Sequence, residues 1–181
     1  PTRCINKQNR PEGGALLCAN HTRTNDPLFI AYALGWHYQI HVMAKEEIMH
    51  WPFIGWVLKH GGIFGVKRGK ADVAAIKTAM KYLKDGELLL MFPEGTRHAE
   101  IGEGKTGAAM MAIRTGVPIL PVYIDPERKA FHRTRVYIGE PYLPFPEKRR
   151  ANAEDYEVVT EEIMNRIRAV RDHRAEMEAA E

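Results

Sequence analysis

The sequence predicts an α/β layered fold: a single domain with a mainly parallel mixed sheet flanked by helices. Three observations carry that prediction. Short unbroken apolar runs, at Ala15–Ala19, residues 88–92 and Ile119–Ile124, read as strands buried on both faces. Segments with helical periodicity separate them, and glycines stand where the helices should stop. No internal repeat, low-complexity tract or Gly/Ser-rich linker interrupts the 181 residues, so residues 1–181 read as one domain. Strand–helix alternation is the pattern of a parallel sheet with crossover connections.

The elements follow in order. Ala15–Ala19 is the first buried-type strand. Asp26 and Pro27 then open a helix to about Leu34, with Asp26 as N-cap and Pro27 at the first helical position. Residues 37–44 alternate, with Tyr38, Ile40 and Val42 on one face, which predicts a strand. Residues 46–60 read as an aromatic-rich helix closed by Gly61 and Gly62, ahead of a short strand at Ile63–Val66. The clearest helix is residues 71–84: Val73, Ile76, Met80 and Leu83 recur at helical spacing, and Gly86 suits the C-terminal cap. A strand at 88–92 precedes a helix over 104–115 that Gly116 ends, and Ile119–Ile124 is the next strand. Residues 135–138 are expected to form an edge strand. Beyond the proline-rich stretch 141–146, a last helix covers 153–173, with Asn152 as N-cap and Tyr156, Val159, Ile163, Ile167 and Val170 as one apolar stripe. The tail after Arg174 is expected to fray.

Composition narrows the partners. With 45% hydrophobic and 27% charged residues, the chain is neither disordered nor collagen-like. A net charge of +3 favours anionic partners such as phosphates, lipid head groups or nucleic acid, without choosing among them. Cys4 and Cys18 are too few for a disulfide framework and form no Cys-x-x-Cys pair, so a reducing cytosolic setting is expected. No run of about 18 uncharged apolar residues is present, so no segment of this sequence is expected to span a bilayer alone. The chain opens at Pro1, which leaves room for an upstream piece trimmed away.

Three loops leave predicted strands and carry polar residues at once: 20–26, 67–70 and 93–97. If their strands are parallel, all three converge on the carboxyl edge of the sheet, where ligands of open α/β sheets gather. In the first loop, His21 and Asp26 form a His-x4-Asp pair. A histidine accepts a proton from a hydroxyl that attacks a carbonyl, and a carboxylate on its other nitrogen fixes the tautomer. The plainer alternative is a helix-capping Asp26 and a loop His21.

In the third loop, Phe92, Pro93, Glu94, Gly95, Thr96 and Arg97 follow a strand. Gly95 lets backbone approach a ligand, Arg97 offers a fork for two phosphate oxygens, and Glu94 suits either a ligand hydroxyl or Arg97. The alternative is a reverse turn with Pro93 at its second position and Arg97 in solvent. In the second, the glycine-rich stretch 61–69 delivers Lys67 and Arg68, suited to a phosphate or to plain solvation. A fourth segment, 117–122, carries Pro118 and Pro121; proline is tolerated at edges and bulges, so it is expected to shape a boundary of the sheet.

Together these four blocks, in this order, resemble the glycerolipid acyltransferase family, specifically its lysophosphatidate acyltransferase branch. They stand here as Asn20-His21-x4-Asp26, residues 62–68, residues 92–97 and residues 117–121, spanning about residues 15–125. The resemblance implies the glycerolipid acyltransferase fold, with His21 as general base on an acceptor hydroxyl and Asp26 orienting it. Lys67, Arg68, Glu94, Gly95, Thr96 and Arg97 would bind the acceptor's phosphate or glycerol, and Lys105 stands where relatives often carry a further basic residue. It implies a lysophospholipid acceptor, an acyl thioester donor on coenzyme A or acyl carrier protein, and no cofactor or metal. It also implies work at a membrane surface on the cytoplasmic face, peripherally attached or anchored by a segment absent from this chain. Residues 22–25, Thr-Arg-Thr-Asn, depart from the serine and aromatic that many relatives place before the aspartate, which bears on acceptor preference.

Other candidates carry less. His37 and His41 have metal-like spacing, but no acidic or cysteine partner accompanies them in the sequence. Trp51, Phe53 and Trp56 suit an acyl groove, a membrane interface or the core. Lys148, Arg149 and Arg150 read as a solvated run. With basic residues scattered over different loops and no aromatic stacking platform, nucleic acid is not expected as a partner. The rival readings are the same chemistry on glycerol-3-phosphate or a lyso-aminolipid, and a non-enzymatic lipid binder, which the presence of both His21 and Asp26 disfavours.

Overall fold

The computed structural model describes residues 2–35, 37–46, 50, 62–66, 72–97, 100–128, 132–145 and 150–181. The elements are β1 (Thr2–Ile5), a 3-10 turn (Lys7–Asn9), β2 (Ala15–Ala19), α1 (Asp26–Leu34), β3 (Ile40–Lys45), β4 (Ile63–Val66), α2 (Val73–Lys84), β5 (Leu88–Met91), α3 (Gly107–Thr115), β6 (Ile119–Ile124), β7 (Thr134–Ile138), α4 (Ala153–Asp172) and α5 (Arg174–Ala179). One sheet runs β1-β7-β6-β2-β5-β3-β4. The strands β6, β2, β5, β3 and β4 are mutually parallel, while β7 runs against β6 and takes β1 alongside it.

Central strands are apolar throughout because both their faces are covered. Along β2, Ala15, Leu17 and Ala19 pack with Ile30, Ala33 and Leu34 of α1 on one face. Leu16 and Cys18 point the other way, into Ala79 and Leu83 of α2, Ala108 and Met111 of α3, and Ile163 and Ile167 of α4. Helix boundaries follow local chemistry. Asp72 caps α2 by accepting from Ala75 N at 3.0 Å, and Gly86 lies just past its end at φ 86°. Asn152 and Asp155 form a capping box at the start of α4.

Several expectations are corrected. The proline-bearing segment 117–122 is not a boundary: β6 is central, between β7 and β2. Pro121 is tolerated because its side of β6 faces the place where the neighbouring chain pairs through Gly139 N, on Pro121 O at 2.8 Å, and next through Tyr142 on Ile119. No donor is called for between them. Residues 135–138 are not an edge, since β1 covers β7. The strand expected from residue 37 begins at Ile40, and the helix expected from 104 begins at Gly107. The tail does not fray but forms α5, with Met177 on the Tyr123–Tyr137 cluster and the Tyr137 hydroxyl donating to Glu178. His41 does have an acidic partner: it is buried, bonded to Glu87 and to Gly62 O, and stacked on Tyr82 at 3.6 Å. The helix expected over 46–60, with Trp51, Phe53 and Trp56, lies outside the described residues except at its first position and His50, as do Lys148 and Arg149.

Candidate active site

The site begins where β2 stops. Asn20 substitutes its side-chain amide for the next rung of the ladder, donating from Nδ2 to Ile124 O at 3.0 Å and accepting from Ile124 N at 2.8 Å. Both halves of the amide are thereby satisfied in a buried place, and the chain is free to leave the sheet at His21.

The His21 ring is 18% exposed, and Nδ1 lies 3.0 Å from Oδ2 of Asp26, which is fully buried. Oδ2 also accepts from the backbone N–H groups of Thr22 at 2.7 Å and Arg23 at 2.8 Å, so the intervening turn wraps the carboxylate. Oδ1 accepts from the Arg128 guanidinium. Asp26 is therefore the first residue of α1 but not its cap; it reaches back to the loop. That corrects the expected N-cap and removes the plainer reading of the pair. Burial pushes the Asp26 carboxyl up, but the bonds from His21, the Arg23 backbone, Arg128 and the Thr22 backbone outweigh it and hold the carboxyl below the ordinary aspartate value.

An ionised carboxylate only accepts, so Nδ1 carries the proton and, in the neutral ring, Nε2 keeps its lone pair. Phe92 stacks on the imidazole with centroids 4.0 Å apart and planes 21° from parallel, closing one face of the ring. Such a base can remove a proton from a hydroxyl. The thiol nearest in sequence, Cys18, is buried on β2, and burial pushes it up, so it is no nucleophile.

The third loop lies at the same edge, because β5 runs parallel to β2. Gly95 N donates to Phe92 O at 2.9 Å, closing a turn with Pro93 second. Gly95 has φ +72°, and a side chain there would come within 3.0 Å of Lys105 Nζ. The bare glycine thus lets Lys105 lie across the turn, while Lys105 N donates to Pro93 O at 2.8 Å. Glu94 is 4% exposed and accepts from Gly102 N at 3.5 Å. Exposed Arg97 donates to Thr24 Oγ1 in the His21–Asp26 loop. His21, Asp26, Glu94, Gly95, Thr96, Arg97 and Lys105 are thus held together by loops of β2 and β5. Lys67 and Arg68 lie outside the described residues; β4, which ends one residue before them, runs parallel to β3 and so ends at the same edge.

A cavity of about 230 Å³ adjoins the loop, lined by Asn20, Thr22, Glu94, Ile101, Tyr123 and Arg171 among others. Larger cavities, of about 550 and 610 Å³, lie around Asp125 and Arg135 and beside Arg114 and Tyr156. Among the described residues that line them, neither holds a histidine bonded to a carboxylate, so volume does not mark the site. Sequence reasoning missed Arg128 and the stacking role of Phe92. Phe92 could have been read from its place just past the end of β5, level with Ala19 at the end of β2 and so beside the start of the His21 loop. Arg128 stands 102 residues from Asp26 and carries no local signal.

An imidazole oriented by a buried carboxylate, at the carboxyl edge of a parallel sheet and beside cations, is an arrangement suited to general-base chemistry on an α/β fold. A family model described as Acyltransferase matches residues 1–125. The 1-acyl-sn-glycerol-3-phosphate acyltransferase of Bacillus subtilis is 32% identical over 175 residues, covering 90% of this chain and 87% of the relative. The enzyme of that name from Streptococcus pneumoniae is 35% identical over 108 residues, 59% of this chain and 40% of its own. Among solved structures, the 1-acyl-sn-glycerophosphate (LPA) acyltransferase PlsC of Thermotoga maritima superposes with a TM-score of 0.68 at 25% identity, over 96% of this chain and 73% of its own. The chain belongs to the acyltransferase family and is an O-acyltransferase.

Proposed function

We propose that this chain transfers a fatty acyl group from acyl-coenzyme A or acyl carrier protein to the free hydroxyl of lysophosphatidate, giving phosphatidate. The observation that carries the reading is the bond from His21 Nδ1 to Asp26 Oδ2 at 3.0 Å, which leaves Nε2 to act as base. The names of the Bacillus and Streptococcus relatives support the acceptor. His21 Nε2 takes the proton of the acceptor hydroxyl as its oxygen attacks the thioester carbon. The tetrahedral intermediate collapses with cleavage of the carbon–sulfur bond, and the leaving thiolate takes the proton from the imidazolium. The charge of that imidazolium is stabilised by Asp26. A thioester is electrophilic enough that the step needs neither metal, cofactor nor acyl-enzyme. Arg97 and Lys105, with Lys67 and Arg68, hold the acceptor phosphate, while Glu94, Gly95 and Thr96 shape the loop around it. Acceptor and product are lipids, so the reaction belongs at a membrane surface, and we take this to be the cytoplasmic face. No helix among the described residues is long and apolar enough to cross one.

The reading is tested with an acceptor panel, with and without phosphate, monitored for free thiol. Lysophosphatidate should turn over, and Arg97→Ala should raise its KM roughly tenfold, the loss of one charge-assisted hydrogen bond. Turnover indifferent to phosphate would transfer the activity to another acceptor, and a raised donor KM instead would reassign the loop.

A further inference from the structure

We infer that Arg128 is a positioning residue: its guanidinium, delivered by the turn after β6, holds the Asp26 carboxylate in the orientation that aligns His21. The inference rests on His21 acting as the base in the reading above.

The two oxygens of Asp26 divide their work. Oδ2 takes His21 Nδ1 and the N–H groups of Thr22 and Arg23, while Oδ1 takes Arg128 Nη2. The torsion that orients a carboxylate is soft. Three donors on one oxygen fix its place, and a donor on the other stops the plane from turning. Arg128 is itself held: Nη1 donates to Asn25 Oδ1 at 2.8 Å, Nε to Asp125 O at 3.4 Å, and Cζ sits 4.9 Å from the centre of the Phe29 ring. Its side chain is 7% exposed, so it presents little surface to a substrate.

The turn that carries it is fastened to the catalytic loop at two further points. Asn20 pairs with Ile124, and Arg23 Nη2 donates to Pro126 O at 3.1 Å. The geometry asks for arginine in particular. A planar fork reaches Asn25 and Asp26 together, across the start of α1, whereas an ammonium satisfies one of them.

The test uses Arg128→Gln, Arg128→Lys and Arg128→Ala in the full chain. It reads steady-state thiol release with each substrate varied, thermal unfolding, and the downfield proton resonance of His21 Nδ1–H without substrate. In Arg128→Gln, kcat should fall about 100-fold, the scale of a misaligned reacting group, with both KM values within about twofold. The fold should persist and the downfield resonance should be lost. Guanidinium ions added to Arg128→Ala should restore part of kcat. If the Gln variant fails to fold, Arg128→Lys carries the test, and wild-type kcat with an unmoved resonance there overturns the inference. So does an unchanged kcat in Arg128→Gln, or a loss confined to acceptor KM, which would make Arg128 a substrate contact. Because the resonance needs no substrate, a wild-type protein that releases no thiol would sink the acyl-transfer reading separately.

Discussion

Asp26 combines complete burial with four donors, and that combination sets how the protein responds to acid. Its pKa is depressed, so its contribution to stability is complete above the unfolded value of about 3.9 and is lost as pH falls through the folded one. We therefore expect Asp26→Asn to lower stability by about 3–5 kcal/mol at neutral pH, the cost of breaking a buried charge pair. Below about pH 4 the variant should lose stability less steeply than the wild type, since it lacks this titrating group. Urea unfolding at several pH values measures both, and parallel acid slopes would show that folding does not depress the Asp26 pKa. At this scale the sequence was legible where partners are close along the chain. His21 and Asp26 are five positions apart and meet as expected. Arg128, 102 positions away, and Glu87, 46 positions from its partner His41, meet only through the sheet.

At the scale of the element, boundaries were legible where capping chemistry is local. Asn152 accepts from Asp155 N at 2.9 Å while Asp155 Oδ2 accepts from Asn152 N at 2.8 Å, and both residues sit within one turn of sequence. Asn152→Ala should lower stability by about 1 kcal/mol in chemical denaturation and leave the kinetics untouched. No change in stability would show that packing of the α4 stripe alone fixes that end. Elements whose existence depends on distant partners were less legible. β1 is four residues with one buried pair, Cys4 and Ile5, and becomes a strand by pairing with β7. α5 has Met177 as its one packed apolar side chain and is fastened by Glu178 to Tyr137. Pro121 misleads for the same reason: the fault it makes in β6 falls where the Gly139–Tyr142 segment asks for no donor.

At the scale of the whole molecule, the five parallel strands among the described residues deliver the loops of β2 and β5 to one edge, and layers of helices seal both faces behind them. That arrangement followed from the strand–helix alternation. The reversal at β7 and β1 did not, because direction is set by a connection and not by composition. The sheet edge brings His21 to a cationic rim, and Arg97 ties that rim to the His21–Asp26 loop through Thr24.

The most direct measurement is thiol release from acyl-coenzyme A, in the presence of lysophosphatidate, by wild type and by His21→Ala. The expected outcome is steady turnover by the wild type and a loss of at least about 100-fold in the variant, at the low end for a general base, with circular dichroism unchanged. A well-folded His21→Ala that keeps most of the wild-type rate would remove the imidazole from the chemistry, and the account with it.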